Sequence, residues 1–244
     1  MGTVITITSG KGGTGKTSIT GGVAASLSLL ERSVLCIDMD VGLRNLDITL
    51  GLNDRALMDF SDVALGRCSL ARAATAHPDL SGLALLSAPM TLPANLTSEK
   101  MYALLREARD CFDYVLIDSP AGLGPGFQLA TCGADRALVI ATNDASSLRD
   151  AQRTVAELDH LKTIHLVMNR IQTKLLRKLR TTIDDAMNAA GLPLIGVVPE
   201  DPQVILCANL GRPLTTRGRR GAALACWNIA QRLEERRVPV MRIR

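Results

Sequence analysis

The stretch TVITITSGKGGTGKTS, residues 3–18, decides the fold. Its first part, 4–8, is apolar and β-branched, a composition typical of a buried strand. Four glycines then fall within residues 10–15. Glycine adopts backbone conformations that other residues avoid, so the chain can turn sharply here. Since a helical pattern begins at residue 16, the sequence predicts a strand, a glycine loop and a helix in direct succession.

Residues 10–17 match the pattern G-x-x-x-x-G-K-[ST]. In such a loop the backbone N–H groups surround phosphates, and the positive end of the following helix adds to the attraction. The pattern predicts that Lys16 contacts the β- and γ-phosphates and that Thr17 ligates Mg²⁺. The predicted phosphate-binding residues are Gly12, Gly13, Thr14, Gly15, Lys16, Thr17 and Ser18.

The rest of the chain alternates short apolar runs with helical patterns. Strands are predicted at 4–8, 33–38, 83–87, 114–118, 136–142, 164–169 and 194–198, and helices at 16–31, 98–110, 145–161, 173–190 and 218–236. Apolar strands alternating with helices predict an α/β fold: a doubly wound, mostly parallel sheet with helices on both faces, in three layers. No linker or repeat interrupts this pattern. We therefore predict a single domain over 1–244, in which 238–244 form a short C-terminal tail.

Acidic residues follow two of the predicted strands. Asp118 ends the run YVLID, and Asp38 and Asp40 end the run VLCIDMD. A phosphoryl-transfer site needs a carboxylate near its metal and a group that places the attacking water. In an extended segment, side chains at i and i+2 point to the same side, so Asp38 and Asp40 can act together. We predict Thr17, Asp38 and Asp118 around Mg²⁺, and Asp40 at the attacking water.

Composition narrows the class of protein. The chain has 244 residues, 47% of them hydrophobic, and a net charge of +4, which does not by itself indicate nucleic-acid binding. Its six cysteines show no C-x-x-C spacing, which favours free thiols in a reducing compartment. No apolar run approaches the ~20 residues that span a bilayer, and the glycine loop leaves no room for a signal peptide. We expect a cytoplasmic protein with at most peripheral contact at the inner face of the membrane.

Six segments together resemble the MinD branch of the ParA/MinD family of deviant Walker A P-loop ATPases. They are KGGTGKTS, IDMDVGLRNLD, DSPAG, SSLRDAQR, MNR and VPEDPQV…ANLGRP. The resemblance implies an ATP-dependent homodimer in which Lys11 reaches the phosphates bound by the partner subunit. It implies catalytic roles for Lys11, Lys16 and Asp40. It places the adenine contacts on Asn169, Arg170 and the backbone of Pro199, Glu200 and Asp201.

The same resemblance implies a switch in division-site placement that recruits MinC- or MinE-like partners at the membrane and is reset by ATP hydrolysis. A related ATPase that positions flagella, chromosomes or plasmids is the alternative. GTP is disfavoured because residues 169–172 read NRIQ and lack the aspartate that grips guanine. An iron–sulfur relative is disfavoured because Cys132 has no evident partner, and a phosphotransferase because no acceptor site is evident. We therefore predict ATP and Mg²⁺ as the cofactors.

Two departures from the family pattern affect the expected partners. The chain stops at EERRVPVMRIR, where the family usually continues into a basic amphipathic helix, so direct membrane binding is expected to be weak or absent. Asp150 is present in SSLRDAQR, but Gln152 stands where a second acid is common. Nucleic acid is not an expected partner, although five arginines offer a basic surface: Arg177, Arg180, Arg217, Arg219 and Arg220.

Overall fold

A computed structural model describes residues 1–53 and 55–241, apart from the side chain of Arg217. The C-terminal tail predicted at 238–244 is therefore described only as far as Met241. Its last residues, 242–244, and the Arg217 side chain lie outside the described residues. None of the described helices is long and apolar enough to cross a membrane.

Eight strands form one sheet in the order β3-β4-β2-β5-β1-β6-β7-β8. The strands are β1 (Thr3–Thr8), β2 (Val34–Asp38), β3 (Thr75–Ala76), β4 (Leu83–Leu86), β5 (Tyr114–Asp118), β6 (Arg136–Ala141), β7 (Thr163–Ile171) and β8 (Leu194–Pro199). All neighbouring pairs are parallel except β3 and β4, which are antiparallel. The predicted mostly parallel sheet is confirmed.

Helices cover both faces of this sheet. They are α1 (Lys16–Leu29), α2 (Leu46–Leu50), α3 (Phe60–Ala64), α4 (Leu70–Ala73), α5 (Ser98–Cys111), α6 (Pro125–Thr131), α7 (Ala145–Ala156), α8 (Thr173–Leu179), α9 (Ile183–Ala190), α10 (Pro202–Asn209) and α11 (Gly221–Leu233), with a 3₁₀ helix at Leu214–Arg217. One face packs against α1, α2, α10 and α11. The other packs against α3 to α7 and α9. The result is the predicted three-layer arrangement.

Strand β5 shows why the central strands are apolar throughout. Its five residues are all buried, and their side chains alternate between the two faces. Leu116 joins the cluster under α1 and α11, whereas Val115 and Ile117 join the cluster under α5. A strand covered on both faces gains from an apolar side chain at every position, because each face removes its side chains from water.

Several predicted boundaries were wrong. The single helix predicted at 173–190 is two helices, α8 and α9, because Arg180 turns the chain in the left-handed region (φ 53°) and Thr182 starts a new helix. Thr182 and Asp185 form a reciprocal capping box there, which satisfies the first free N–H groups of α9. The helix predicted at 145–161 ends at Ala156, and the one predicted at 218–236 spans Gly221–Leu233. Strand β3 and the short helices α2, α3, α4, α6 and α10 were not predicted.

The parallel strands place their carboxyl ends at one edge of the sheet. The glycine loop follows β1 there, the 39–45 loop follows β2, and the 119–124 loop follows β5. Strands β7 and β8 bring the MNR and PED segments to the same edge. Ligands bind at this edge in open α/β sheets, so the fold collects the predicted motifs in one place.

Candidate functional site

The glycine loop is shaped by two positive-φ glycines and held by a neighbouring strand. Gly13 has φ 77° and Gly15 has φ 92°, a region that side chains disfavour. A Cβ on Gly15 would lie 2.3 Å from Nδ2 of Asn169. That amide nitrogen donates to the carbonyl of Thr14 at 2.7 Å. The end of β7 therefore fixes the loop just before α1 begins, leaving the loop backbone to face the cavity.

Lys16 is nearly buried at the start of α1, with 9% of its surface exposed. Its Nζ donates to the hydroxyl of Ser9 at 3.3 Å. Burial lowers the pKa of Lys16, and the charges of Asp118 and Asp40 act against that shift. No described carboxylate forms an ion pair with Lys16, so its charge remains available to an anion in the cavity.

Asp118 ends β5 with only 1% of its surface exposed. The Thr20 hydroxyl donates weakly to its Oδ1 at 3.4 Å, and within the described residues its Oδ2 has no hydrogen-bond partner. Burial first, and the charge of Asp38 second, raise the pKa of Asp118 to about 7, although Thr17 and Lys16 act in the opposite direction. Leaving a buried carboxylate oxygen unpaired is costly, and a cation beside it would remove that cost. The donor set of Asp118 and Thr17 thus fits Mg²⁺, which prefers oxygen ligands.

Asp38 ends the neighbouring strand β2 and has both oxygens occupied. Its Oδ1 accepts from the Asp40 backbone N–H at 2.9 Å, and its Oδ2 accepts from the Leu46 N–H at 3.1 Å. Burial raises the pKa of Asp38 to about 6, and these two bonds moderate the rise. The carboxylate therefore folds the 39–45 loop back over the strand end. This loop holds Asp40 half-buried at the wall of the cavity.

A cavity of about 490 Å³ opens between the glycine loop, the ends of β7 and β8, and helices α10 and α11. Its size is that of a small-molecule ligand site. The predicted residues on its wall are Gly12, Gly13, Gly15, Lys16, Thr17, Ser18, Asp40, Asn169, Arg170, Pro199, Glu200 and Asp201. The predicted residues Lys11, Thr14, Asp38 and Asp118 are not on this wall. Thr14 is buried and its hydroxyl donates to Ser9 at 3.0 Å.

Arg170 and Glu200 form one side of the cavity mouth. Arg170 adopts a left-handed backbone conformation (φ 57°) that aims its side chain across the end of β8. Its Nε donates to Glu200 at 2.9 Å, and its Nη1 donates to the Gly13 carbonyl at 3.4 Å. The MNR segment, the PED segment and the glycine loop are therefore joined directly.

Asp201 caps two helices at once. Its Oδ1 accepts from Gln203 N–H in α10, and its Oδ2 accepts from Ala222 N–H in α11, both at 2.9 Å. Gly221 makes the second contact possible, because a Cβ there would lie 2.1 Å from Asp201 Oδ2. Each carboxylate oxygen of Asp201 is therefore engaged in capping a helix, and the contact of its backbone with a nucleotide stays a prediction.

The inner wall of the cavity is apolar and was not identified from the sequence. It consists of Ile19, Val198, Val204, Leu214, Ala222 and Cys226. These side chains come from α1, β8, α10, the 3₁₀ helix and α11. Because they belong to five separate elements, no local pattern in the sequence groups them into one wall. Burial raises the pKa of the Cys226 thiol to about 12, so it acts as an apolar side chain. Such a wall suits the flat face of a nucleotide base.

Lys11 is exposed and extends away from this cavity toward α7. Its Nζ donates to Ser146 Oγ at 2.9 Å and lies 3.4 Å from Asp144 Oδ1. Burial would raise the pKa of Asp144, but hydrogen bonds from Ser146, Thr142 and the Ser147 backbone outweigh it and hold the pKa below its usual value. Asp144 therefore stays charged beside Lys11.

The glycine loop also touches α7 sterically. A Cβ on Gly10 would lie 2.6 Å from the carbonyl oxygen of Asp150, inside contact distance. The absence of a side chain at residue 10 thus allows α7 to pack directly on the start of the loop.

The glycine loop opens a helix, its buried Lys16 has no ion-pair partner among the described residues, and a carboxylate ends the neighbouring strand β5. This arrangement is that of a P-loop nucleotide-binding protein. Residues 5–214 match the family described as CobQ/CobB/MinD/ParA nucleotide binding domain. The chain belongs to this family, the MinD/ParA group of P-loop ATPases.

Individual relatives agree with this assignment. The septum site-determining protein MinD of Bacillus subtilis is 37% identical in an alignment 251 residues long, gaps included. The alignment covers 98% of this chain and 92% of that protein. The MinC:MinD cell division protein complex of Aquifex aeolicus has a chain that is 34% identical, with a TM-score of 0.92 over 98% of each chain. The septum site-determining protein MinD of Pyrococcus horikoshii, complexed with Mg-ADP, is 26% identical, with a TM-score of 0.84 over 96% of this chain and 97% of that one.

Proposed function

We propose that this chain is a MinD-like ATPase switch. It binds Mg-ATP, pairs with a second copy over the nucleotide, acts in division-site placement by recruiting partners at the membrane, and is reset by ATP hydrolysis. The observation that carries the proposal is the position of Lys11, which adjoins the phosphate loop yet extends out of its own cavity. Similarity to septum site-determining proteins over nearly the whole chain supports the cellular role.

Within one subunit, the loop residues 12–18 bind the phosphates. Lys16 neutralises charge at the β- and γ-phosphates, because it is buried at the loop without a carboxylate partner in the described structure. Asn169, Arg170 and the backbone of 199–201 contact the adenine, above the apolar inner wall. We also propose that the chain works as a single ATPase domain, supported by the one continuous sheet.

Thr17 and Asp118 would hold Mg²⁺, with Asp38 behind them in the outer shell. When bound, the ion neutralises charge on the β- and γ-phosphates. Asp40 holds the attacking water by accepting its hydrogen bond. The backbone N–H of Asp40 donates to the Asp38 carboxylate and so fixes the loop. The Asp40 carboxylate therefore keeps its place while the water is oriented.

Dimerisation requires Lys11 to leave Asp144 and Ser146. Because the Lys11 and Asp144 side chains are 46% and 49% exposed, breaking the pair costs little, about 0–1 kcal/mol for a surface ion pair. In the dimer, Lys11 donates to the phosphates held by the partner and stabilises the charge that develops there. A homodimer is therefore needed to complete each site.

Replacing Lys11 with alanine tests this role. We expect the wild-type chain to run as a dimer with ATP and Mg²⁺ in size-exclusion chromatography with light scattering, and the Lys11→Ala variant to stay monomeric. Nucleotide binding by the variant should persist, because Lys11 is off the cavity wall. Lys162→Ala, at another exposed lysine, is the matched control and should dimerise normally. ATP-dependent dimers of Lys11→Ala equal to the wild type would contradict the proposal.

The proposed partners are MinC- or MinE-like proteins that bind the face of α7. The solved Aquifex aeolicus relative is titled as a complex with MinC. In this chain Asp150 lies on α7, 28% exposed and 3.8 Å from Arg153, so one acid is available on that face. The proposed location is the cytoplasm, with peripheral contact at the inner face of the membrane.

A second candidate function, an ATPase that positions DNA or other cargo, is favoured by one observation. Helix α8 and the residue after it carry four exposed cations, and the described residues provide no ion-pair partner for them: Lys174, Arg177, Lys178 and Arg180. Co-sedimentation with DNA, and separately with anionic liposomes, separates the two functions. ATP-dependent pelleting with DNA that is lost in Arg177→Glu/Arg180→Glu would favour this candidate.

A further inference from the structure

His77, which follows β3, is buried with 8% of its surface exposed and uses both ring nitrogens. Its Nε2 lies 3.0 Å from the Leu50 carbonyl oxygen. Its Nδ1 accepts from the backbone N–H groups of Asp79 and Leu80, both at 3.1 Å. A carbonyl can only accept and an N–H can only donate, so a single neutral tautomer fits, with its hydrogen on Nε2.

The Leu50 carbonyl belongs to the last residue of α2. The first residue of this helix, Leu46, donates its N–H to Asp38. A five-residue helix has little stability of its own, so its position depends on the packing of its buried Leu46 and Leu50 and on what holds its ends. Asp38 holds the first end and His77 holds the last.

The same contacts lead to the predicted catalytic aspartate. Asp38 accepts from Leu46 through one oxygen and from the Asp40 N–H through the other. A shift of α2 therefore pulls on the carboxylate that fixes Asp40. His77 lies 27 residues beyond Leu50 in sequence, so only the fold makes this connection.

We propose that His77 is a positioning residue for hydrolysis: its neutral imidazole fixes the end of α2 and, through α2 and Asp38, the place of Asp40 at the attacking water. The inference rests on the proposed role of Asp40. The same arrangement makes the chain sensitive to acid, because a proton on His77 Nδ1 would face the two N–H groups of Asp79 and Leu80. An N–H group cannot accept a hydrogen bond from another N–H group. The protonated ring must therefore leave this position, and it then releases the end of α2.

The electrostatic surroundings set the pH range of this release. Burial lowers the pKa of His77; the Leu50 carbonyl and the charge of Asp79 oppose the shift, and the charge of Arg55 adds to it. The ring is therefore neutral in the folded protein at pH 7. The stabilisation it provides is complete above the ordinary histidine pKa of about 6.5 and is lost as the pH falls through the lowered folded value.

Two substitutions separate the two ring nitrogens. His77→Gln places an amide donor near the Leu50 carbonyl and cannot titrate, whereas His77→Asn keeps an acceptor for Asp79 and Leu80 but cannot reach Leu50. The measurements are kcat and KM for ATP hydrolysis by the full chain between about pH 5 and pH 8, with the melting temperature at each pH. His160→Gln, at an exposed histidine after α7, is the control.

We expect His77→Asn to lower kcat about tenfold at pH 7.5 or so, with KM changed by less than about twofold, as for the loss of one buried hydrogen bond that acts only on the reaction step. His77→Gln should keep a kcat close to the wild type at that pH. Because glutamine cannot titrate, its kcat should fall less than that of the wild type as the pH is lowered. His160→Gln should keep the complete wild-type profile.

A folded His77→Asn variant with unchanged kcat, or an acid decline identical in His77→Gln and wild type, would overturn the inference. If His77→Asn lowered only the melting temperature and left kcat unchanged, the inference would also be overturned, since that is the result expected of a purely structural residue. Asp40→Asn distinguishes the underlying proposal: if Asp40→Asn hydrolyses ATP normally, the role of Asp40 itself is wrong. If Asp40→Asn is inactive and both His77 variants are fully active, only the inference about His77 fails.

Discussion

Asp38 and Asp118 are the same residue type at the ends of adjacent parallel strands, paired in register and each 1% exposed. Asp38 has both oxygens bonded to backbone N–H groups, whereas Asp118 Oδ2 has no partner within the described residues. The residue two places on explains part of the contrast. After Asp38 it is Asp40, which supplies an N–H; after Asp118 it is Pro120, which has none. The comparison teaches that the following loop decides whether a strand-end carboxylate shapes the backbone or stays free for a ligand.

Asp118→Asn should produce the largest effect on activity. The amide cannot ligate Mg²⁺ as a carboxylate does, so we expect kcat for ATP hydrolysis to fall about 100-fold or more. Stability should stay the same or rise, because a buried charge with an unpaired oxygen is removed. Steady-state hydrolysis and a melting curve measure both. A variant that hydrolyses ATP normally would remove Asp118 from the proposed metal site.

Asp38→Asn should lower kcat, because it weakens the bond that fixes Asp40, and should also lower stability by about 1–3 kcal/mol. The stability loss arises because the new NH₂ group must face either the Asp40 N–H or the Leu46 N–H, and both are donors. Urea unfolding measures this loss in the free energy of unfolding. Asp118→Asn is the matched control, since it makes the same chemical change on the neighbouring strand. If the two variants lost equal stability, the different hydrogen bonding of Asp38 and Asp118 would not explain their different roles.

Pro120→Ala should make Asp118 more like Asp38. The new N–H stands two residues after the carboxylate, as the Asp40 N–H does after Asp38, and a bond of about 1 kcal/mol would compete with the metal. We expect the Mg²⁺ concentration for half-maximal hydrolysis to rise about three- to tenfold, measured by titration of Mg²⁺ at saturating ATP. Pro93→Ala, in another loop, should leave it unchanged. An unchanged Mg²⁺ requirement in Pro120→Ala would show that Pro120 does not keep the oxygen free.

The sequence predicted the parts of the site that depend on local pattern. The glycine loop and the strand-end acids are contiguous runs, and the fold places them at one edge of the sheet as expected. The contacts missed are long-range: Asp201 with Ala222, 21 residues on, and His77 with Leu50. No period or spacing encodes such pairs, because they arise only when separate loops pack together. The break between α8 and α9, by contrast, carried a readable signal in the spacing of Thr182 and Asp185.

The phosphate loop is joined to α7 and its N-cap by contacts that respond differently to ionic strength. The Lys11–Asp144 pair is exposed, with 3.4 Å between Nζ and Oδ1, so added salt weakens its attraction. The bond from Lys11 Nζ to the neutral Ser146 hydroxyl, at 2.9 Å, depends much less on salt. The Gly10–Asp150 contact is one of backbone against backbone and carries no net charge, so added salt leaves it intact. Raising the salt concentration therefore weakens the hold of Asp144 on Lys11, while the Ser146 bond and the packing of α7 on the loop remain. The mobility of this one side chain can be adjusted by solvent without altering the frame that supports it.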